Sequence, residues 1–233
     1  RGRRLVSMVA GGLVAASVSA SAAVPAEFKP EWIPQIAVPR MTAAPVIDGT
    51  LDATEWREAA AVSGAAEGNR LIPRPTLYYL GWDAGHLYLA CRTYLRPGYK
   101  PIILHGRADG LTYTFDDGME MVWKPMGKNV INRNAAYKFF VNCLGYKGDT
   151  SRVTRGQMFK DWNPQFKTAY RLTDPGTAPE GGRWWELEMS CTPADFELKG
   201  DHRAGDEWRL MLGFNHIPAW TQARIPCLGS YFD

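Results

Sequence analysis

Apolar and polar positions alternate along much of the chain, and this pattern indicates β-strands. Clear alternating runs occur at Met119–Lys124, Trp185–Cys191 and Trp208–Asn215, where apolar residues occupy every second position. A strand with this pattern has one apolar face and one polar face. Such strands form antiparallel sheets that pack their apolar faces over a shared core.

Four further segments are rich in β-forming residues: Thr76–Trp82, Leu87–Tyr94, Tyr137–Cys143 and Phe166–Leu172. The first two flank Asp83-Ala84-Gly85, which is typical of a hairpin turn. Before the strands, Asp52 can cap a short helix, with Glu55 three residues later and Trp56 facing inward. The pattern therefore predicts an all-β fold, an antiparallel β-sandwich with one short N-terminal helix.

Two connections are predicted to be long loops, residues 96–115 and 144–164. Loops of this length in a compact domain often carry function. Five prolines lie between residues 24 and 45, which indicates an extended linker or a strap along a sheet edge over residues 23–43. The sandwich domain is then expected to span residues 44–233.

The N-terminus has the layout of a secretory signal peptide over residues 1–22. Arg1, Arg3 and Arg4 precede an apolar run, and Ala20-Ser21-Ala22 gives the small-x-small cleavage pattern. The alternative is an uncleaved anchor, but the run is short for a span of about 20 residues. We expect a secreted, periplasmic or cell-surface domain with no membrane contact after cleavage.

Charge excludes one class of partner. The three N-terminal arginines account for the net charge of +3, because residues 1–22 contain no acidic residue. The remaining domain is close to neutral, so a strongly basic nucleic-acid binder is not expected. Four cysteines in an exported chain allow three pairings, and buried thiols remain the alternative to disulfides: Cys91, Cys143, Cys191 and Cys227.

The sequence contains no HExxH, GxSxG, P-loop or GxGxxG motif, and its four histidines have no ligand spacing. Carboxylates cluster at Asp116, Asp117 and Glu120 and again at Glu186 and Glu188. The second pair shares one strand face at a separation of roughly 7 Å, within the range used by glycosidases. A solvated face or a cation-binding turn is the simpler interpretation, so no catalytic residue is assigned.

Six ordered motifs in residues 44–233 resemble carbohydrate-binding module family 9, in the DOMON-like superfamily. They include Pro45–Asp52 with Glu55-Trp56, Leu80–Asp83 with Leu87–Ala90, Asp117–Met121, Phe139–Asn142 and Trp185–Met189. The resemblance implies an antiparallel β-sandwich that holds a terminal sugar between aromatic rings. It also implies that the domain accompanies glycoside hydrolases. The chain ends at Asp233, near the point where that family continues into a last strand, which is consistent with a fragment.

The resemblance places Glu120 and Asn142 where family members bond to sugar hydroxyls. The family's arginine position is Phe140 here, and its first stacking tryptophan falls at Thr114, next to Tyr113 and Phe115. The second aromatic wall has Trp220 and Tyr231 as candidates. The predicted carbohydrate-binding residues are therefore Glu120, Asn142, Tyr113 and Trp220. No cofactor is required, and structural calcium is the one metal that the resemblance suggests.

Nine tryptophans are many for this length. Trp82, Trp123, Trp185 and Trp208 fall at core positions, whereas Trp162, Trp184 and Trp220 are candidates for the surface. The leading hypothesis is a secreted module that binds polysaccharide or oligosaccharide and assists its degradation. The alternatives are a DOMON-type haem domain with Met119, Met121 and His86 as ligands, and a glycosidase that uses Glu186 or Glu188.

Overall fold

The computed structural model describes most of the chain after the proline-rich segment. The described residues are 35–63, 66–67, 70–71, 76–104, 116–153, 157–159, 162–216 and 221–224, all within one unit, residues 33–233. Side chains are described for residues 35–63, 76–104, 116–148 and 162–215. The predicted signal peptide lies outside the described residues.

The described part of the chain contains thirteen strands. They are β1 (Ala60–Ser63), β2 (Ala66–Glu67), β3 (Arg70–Leu71), β4 (Thr76–Trp82), β5 (Leu87–Leu95), β6 (Gly118–Pro125), β7 (Ala135–Asn142), β8 (Lys147–Val153), β9 (Gln157–Phe159), β10 (Lys167–Leu172), β11 (Arg183–Cys191), β12 (Trp208–His216) and β13 (Thr221–Arg224). No helix in this part is long and apolar enough to cross a membrane.

The strands form two antiparallel sheets, which confirms the predicted sandwich. The five-stranded sheet has the order β1-β4-β5-β11-β10, and the eight-stranded sheet has the order β3-β2-β13-β12-β6-β7-β8-β9. Apolar positions of the central strands are buried in one cluster, which includes Leu89, Met121, Phe139, Leu187 and Leu212. Polar positions of the same strands therefore face away from this core, as the alternation predicts.

The predicted short helix is replaced by a series of turns over residues 53–58. Asp52 caps the first turn, since its Oδ1 accepts from Thr54 N at 2.6 Å, and Trp56 N donates to Asp52 O at 3.2 Å. The chain enters β1 at Ala60, so it has far fewer than the about 12 residues that a stable isolated helix needs. Trp56 is buried, as predicted.

The predicted loop 144–164 is wrong, because it contains β8 and β9. The sequence of β8, KGDTSRV, has no apolar alternation, so periodicity did not reveal it. Its pairing with β7 depends on backbone hydrogen bonds that any side chain permits. The short strands β1, β2 and β3 were missed for a related reason, since two to four residues give no measurable period.

Cys91, Cys143 and Cys191 are free and buried, which is the alternative to disulfides that the sequence left open. Burial raises the pKa of the Cys91 thiol well above its ordinary value of 9.0, so the thiol stays protonated. These residues therefore act as small apolar side chains. Cys227 lies outside the described residues.

The end of the proline-rich segment lies against β4. Met41 N donates to Trp82 O at 2.8 Å, and Trp82 N donates to Pro39 O at 3.2 Å. The indole Nε1 of Trp82 also donates to Val38 O at 3.0 Å. Three hydrogen bonds to one residue thus tie this segment to the end of a strand.

The buried histidine His202 makes the stability of the domain depend on pH. His202 packs against Trp208 and Phe196, and its Nε2 has no hydrogen-bond partner among the described residues. Burial lowers the pKa of His202 below 6.5, although Asp206, Asp83 and Asp201 oppose the shift. Below pH 6.5 the unfolded chain therefore takes up a proton that the folded state excludes, and stability falls.

We expect His202→Leu to remove this loss of stability below pH 6.5. The slope of unfolding free energy against pH below 6.5 should decrease by up to about 1.4 kcal/mol per pH unit, the limit for one proton. Urea unfolding at several pH values measures it. His86→Gln is the matched control, because the His86 side chain is 42% exposed in the β4–β5 turn, whereas His202 is buried. An unchanged slope in His202→Leu would contradict the assignment.

Candidate functional site

Three cross-strand rows on the outer face of the eight-stranded sheet contain two of the predicted sugar-binding residues, Glu120 and Asn142. This outer face is defined by the rows that β7, β6 and β12 form: Asn142–Gly118–Asn215, Phe140–Glu120–Gly213 and Lys138–Val122–Met211. Residues directly opposite in neighbouring strands lie within side-chain contact. The register thus brings together side chains from three segments that are distant in sequence.

Glu120 forms an ion pair with Lys138, with Nζ 2.8 Å from Oε1. Both side chains are buried, with 6% and 8% of their surfaces exposed. A buried pair of this kind is costly to desolvate and gives little net stability. The pair therefore contributes little to the net stability of the fold, although each charge depends on the other.

Asn215 is a buried polar residue on the same outer face. It is 4% exposed, and neither its Oδ1 nor its Nδ2 has a hydrogen-bond partner in the described part of the chain. A buried amide without partners costs about 1–3 kcal/mol, so such groups are rare in folded proteins. The amide lies in the row next to Glu120, where it could bond to a ligand.

Position 118, opposite Asn215 in the same row, requires glycine. A Cβ atom at Gly118 would lie 2.5 Å from Val141 O and 2.9 Å from the Phe140 ring. Only a residue without a side chain fits between Asn142 and Asn215 in this row. In the Asn142–Gly118–Asn215 row, no side chain therefore lies between the two amides.

Asn142 is engaged within the protein. Its Oδ1 accepts from Leu144 N and Tyr146 N at 3.0 and 2.9 Å, and its Nδ2 donates to Asp116 Oδ2 at 2.9 Å. These bonds build the β7–β8 turn and attach it to the start of β6. Its role in sugar binding stays a prediction.

The sequence predictions missed Lys138 and Asn215. The family's arginine position, Phe140, lies directly opposite Glu120 and is buried, so the cation comes from Lys138 one row further along. Alternation places Lys138 and Asn215 on the polar face of their strands, which was the available signal. Tyr113 and Trp220 lie outside the described residues, as do Thr114, Phe115 and Tyr231.

Two of the candidate surface tryptophans are described. Trp162 is buried against Tyr137 and Phe139, and its Nε1 donates to Asp195 O at 3.0 Å. It belongs to the core and not to a binding surface. Trp184 is half buried on the outer face of the five-stranded sheet, where the guanidinium of Arg92 lies 5.7 Å from its ring centre.

The carboxylates that suggested a cation site bond to internal donors. Asp117 accepts from Tyr99 OH and from Ile102 N, and Asp116 accepts from Leu104 N and Asn142 Nδ2. No group of three or more metal-ligating side chains gathers in the described residues. Structural calcium therefore stays a prediction.

Glu186 and Glu188 share one strand face, as predicted, but each has a structural role. Glu188 accepts from Asp48 N, Gly49 N and Trp56 Nε1 at 3.0, 2.7 and 2.8 Å. Burial raises the pKa of Glu188, and these three donors oppose that shift. Glu186 accepts from Arg92 and Arg171 at 2.8 and 2.6 Å. Both carboxylates therefore bond to groups within the protein, and no observation supports a glycosidase mechanism for them.

The residues considered as haem ligands, Met119, Met121 and His86, do not line a common pocket. Met119 and Met121 are buried in the core between the sheets. His86 stacks on Tyr88, and Tyr88 belongs to the separate cluster on the outer face of the five-stranded sheet. Axial ligands must approach one iron from opposite sides. The described residues therefore give no support to the haem alternative.

No family model matches the sequence, and no curated protein matches it. Solved structures do match. A protein from Bacteroides uniformis with a suggested carbohydrate-binding role aligns over 82% of this chain and 88% of its own, with TM-score 0.56 and 13% identity.

Two structures of a family 9 carbohydrate-binding module from Caldicellulosiruptor kristjanssonii also match, in complex with glucose and with cellotriose. Each covers 82% of this chain, with TM-scores of 0.52 and 0.50 and identities of 15% and 16%. The alignments cover 91% and 88% of those chains. At this level of identity the match concerns the fold. The chain therefore shares its fold with the family 9 carbohydrate-binding modules.

Proposed function

We propose that this domain binds carbohydrate on the outer face of the eight-stranded sheet. The observation that carries the proposal is the unpartnered, buried amide of Asn215 beside the Glu120–Lys138 pair. Sugar hydroxyls both donate and accept hydrogen bonds, so one sugar edge can satisfy a carboxylate, an ammonium and an amide together. The fold shared with carbohydrate-binding modules supports the same conclusion.

The roles follow from the chemistry of each group. Glu120 accepts from a hydroxyl, Lys138 donates to the neighbouring oxygen, and Asn215 both donates and accepts. Charge-assisted hydrogen bonds are stronger than neutral ones, and a buried, low-dielectric setting strengthens them further. Tyr113 and Trp220 are proposed to stack on the apolar faces of the sugar. Glucose and cello-oligosaccharides are the first ligands to test, because the two Caldicellulosiruptor structures contain them.

The wider role is part of the same proposal. Residues 1–22 would direct export, and the mature domain would hold a glycoside hydrolase near its polysaccharide by raising the effective concentration. N-terminal sequencing of protein expressed with its leader tests the export step.

Asn215→Leu is expected to change sugar affinity and stability in different ways. The variant removes an amide that has no partner in the described chain, so we expect equal or greater stability, by up to about 1–3 kcal/mol. We expect sugar affinity to fall at least tenfold, about 1.4 kcal/mol. Isothermal titration with gluco-, xylo- and manno-oligosaccharides measures affinity, and urea unfolding measures stability.

The control is Glu207→Gln, since Glu207 is exposed and lies outside the outer face. Glu207→Gln should change neither the sugar affinity nor the stability. Absence of heat with every sugar at millimolar concentration would overturn the proposed function. Unchanged affinity in Asn215→Leu would place the sugar elsewhere on the domain.

A further inference from the structure

A pocket of about 250 Å³ lies apart from the outer face, between two turns next to the five-stranded sheet. One wall is the turn after β5, with Arg96, Pro97 and Lys100, and the other includes Pro175 and Arg183 at the start of β11. The turns are tight, and Gly98 and Gly181 have φ of +72° and +78°. A side chain at either position would be strained, so the backbone borders the pocket directly.

Three cations line this pocket, and no carboxylate does: Arg96, Lys100 and Arg183. None of the three forms an ion pair in the part of the chain that the structure describes. By contrast, Arg92 and Arg171 share the carboxylate of Glu186 on the same sheet. Asp174 and Glu180 belong to the turn that forms the second wall, but neither lines the pocket.

Tyr99 orients both guanidinium groups. Its carbonyl oxygen accepts from Arg183 Nη2 at 3.2 Å, and its ring centre lies 5.9 Å from the Cζ of Arg96. Tyr99 is itself buried and donates its hydroxyl hydrogen to Asp117, so it is a rigid support. A guanidinium has five N–H donors, and one bond to Tyr99 leaves most of those on Arg183 available to a ligand.

We propose that this basic pocket binds the carboxylate of a uronate residue in an acidic glycan. Arginine pairs with carboxylate through two parallel hydrogen bonds, and the lysine adds a third charge-assisted contact. Pro97, Pro175 and the Tyr99 ring give apolar walls for the C–H face of a sugar. The volume is slightly below the about 300–1,000 Å³ of pockets for drug-sized ligands, so it suits one sugar ring.

The inference depends on the proposed function only in taking the ligand to be a sugar. It adds a second binding site, with a different charge preference from the outer face. Because the outer face carries a balanced ion pair, neutral sugars are expected there and acidic sugars in the basic pocket. Different variants therefore test the two sites.

Isothermal titration of the full chain with glucuronate, glucose, acetate and inorganic phosphate tests the proposal. We expect glucuronate to bind, and its affinity to fall at least tenfold in Arg96→Gln/Lys100→Gln. The affinity should also fall as salt is added, since the contacts are ionic. The matched control is Arg133→Gln/Lys199→Gln, which removes the same charge at exposed positions outside the pocket and should leave affinity unchanged.

Each outcome is decisive for the pocket. Equal loss in both double variants would show a general charge effect and overturn the proposal. Acetate or phosphate binding as tightly as glucuronate would overturn the sugar assignment. Neutral oligosaccharide affinity should be unchanged in Arg96→Gln/Lys100→Gln and reduced in Asn215→Leu. Glucuronate binding without any neutral sugar binding would support this inference while contradicting the outer-face proposal.

Discussion

Glu188→Ala is expected to lower the free energy of unfolding by at least about 4.5 kcal/mol, since three hydrogen bonds to a charged group contribute about 1.5–3 kcal/mol each. The buried carboxylate accepts from the backbone of Asp48 and Gly49 and from the Trp56 indole. All three donors belong to the segment that precedes β1. Removing the acceptor leaves these donors without this partner, and two of them, Gly49 N and Trp56 Nε1, are buried.

Urea unfolding measures this effect, with two comparisons. Glu188→Gln keeps one oxygen acceptor and should lose about half as much stability. Glu207→Ala removes an exposed carboxylate and should stay within about 0.5 kcal/mol of the wild type. A loss below 1 kcal/mol in Glu188→Ala would show that this segment is held by other contacts.

Lys138→Met is expected to destabilise the domain by about 3–5 kcal/mol, because it removes the cation that lies 2.8 Å from the buried carboxylate of Glu120. Glu120→Leu/Lys138→Met removes both charges and should return close to wild-type stability. Val122, Ala136 and Met211 already form an apolar cluster on this face, so the new side chains have apolar neighbours. Sugar affinity should be lost in both variants.

Thermal or urea unfolding and isothermal titration on the folded proteins separate the two effects. Lys124→Met is the matched control, since Lys124 lies on β6 four residues beyond Glu120 and is only partly buried. It should change stability by less than about 0.5 kcal/mol. A double variant that is stable and still binds sugar would contradict the role of the pair in binding.

The strands that carry the outer face could be predicted, and the contacts across it could not. Glu120 and Asn142 were placed by motif, but Asn142 proved to build a turn through Leu144, Tyr146 and Asp116. Lys138 and Asn215 were visible only as polar positions in alternating strands. Their significance depends on which strand lies beside which, and sheet order is not local information.

The tryptophans also show which features could be predicted from the sequence and which required the structure. Trp123 and Trp185 are buried at the alternating positions where the pattern placed them. Trp162 has no periodic neighbours, and its place in the core follows from contacts with β7 and with Asp195. An aromatic residue outside a strand therefore cannot be assigned to surface or core before the chain is folded.

The sequence by itself determined the fold class, the main strands and the face that each side chain takes, because a two-residue period is a property of the local backbone. Only the tertiary structure decided which faces meet. It placed Lys138 against Glu120, attached Glu188 to backbone groups about 140 residues earlier, and brought Arg96, Lys100 and Arg183 around one pocket. Strand register and loop approach create these groupings, and both depend on contacts between residues far apart in the chain.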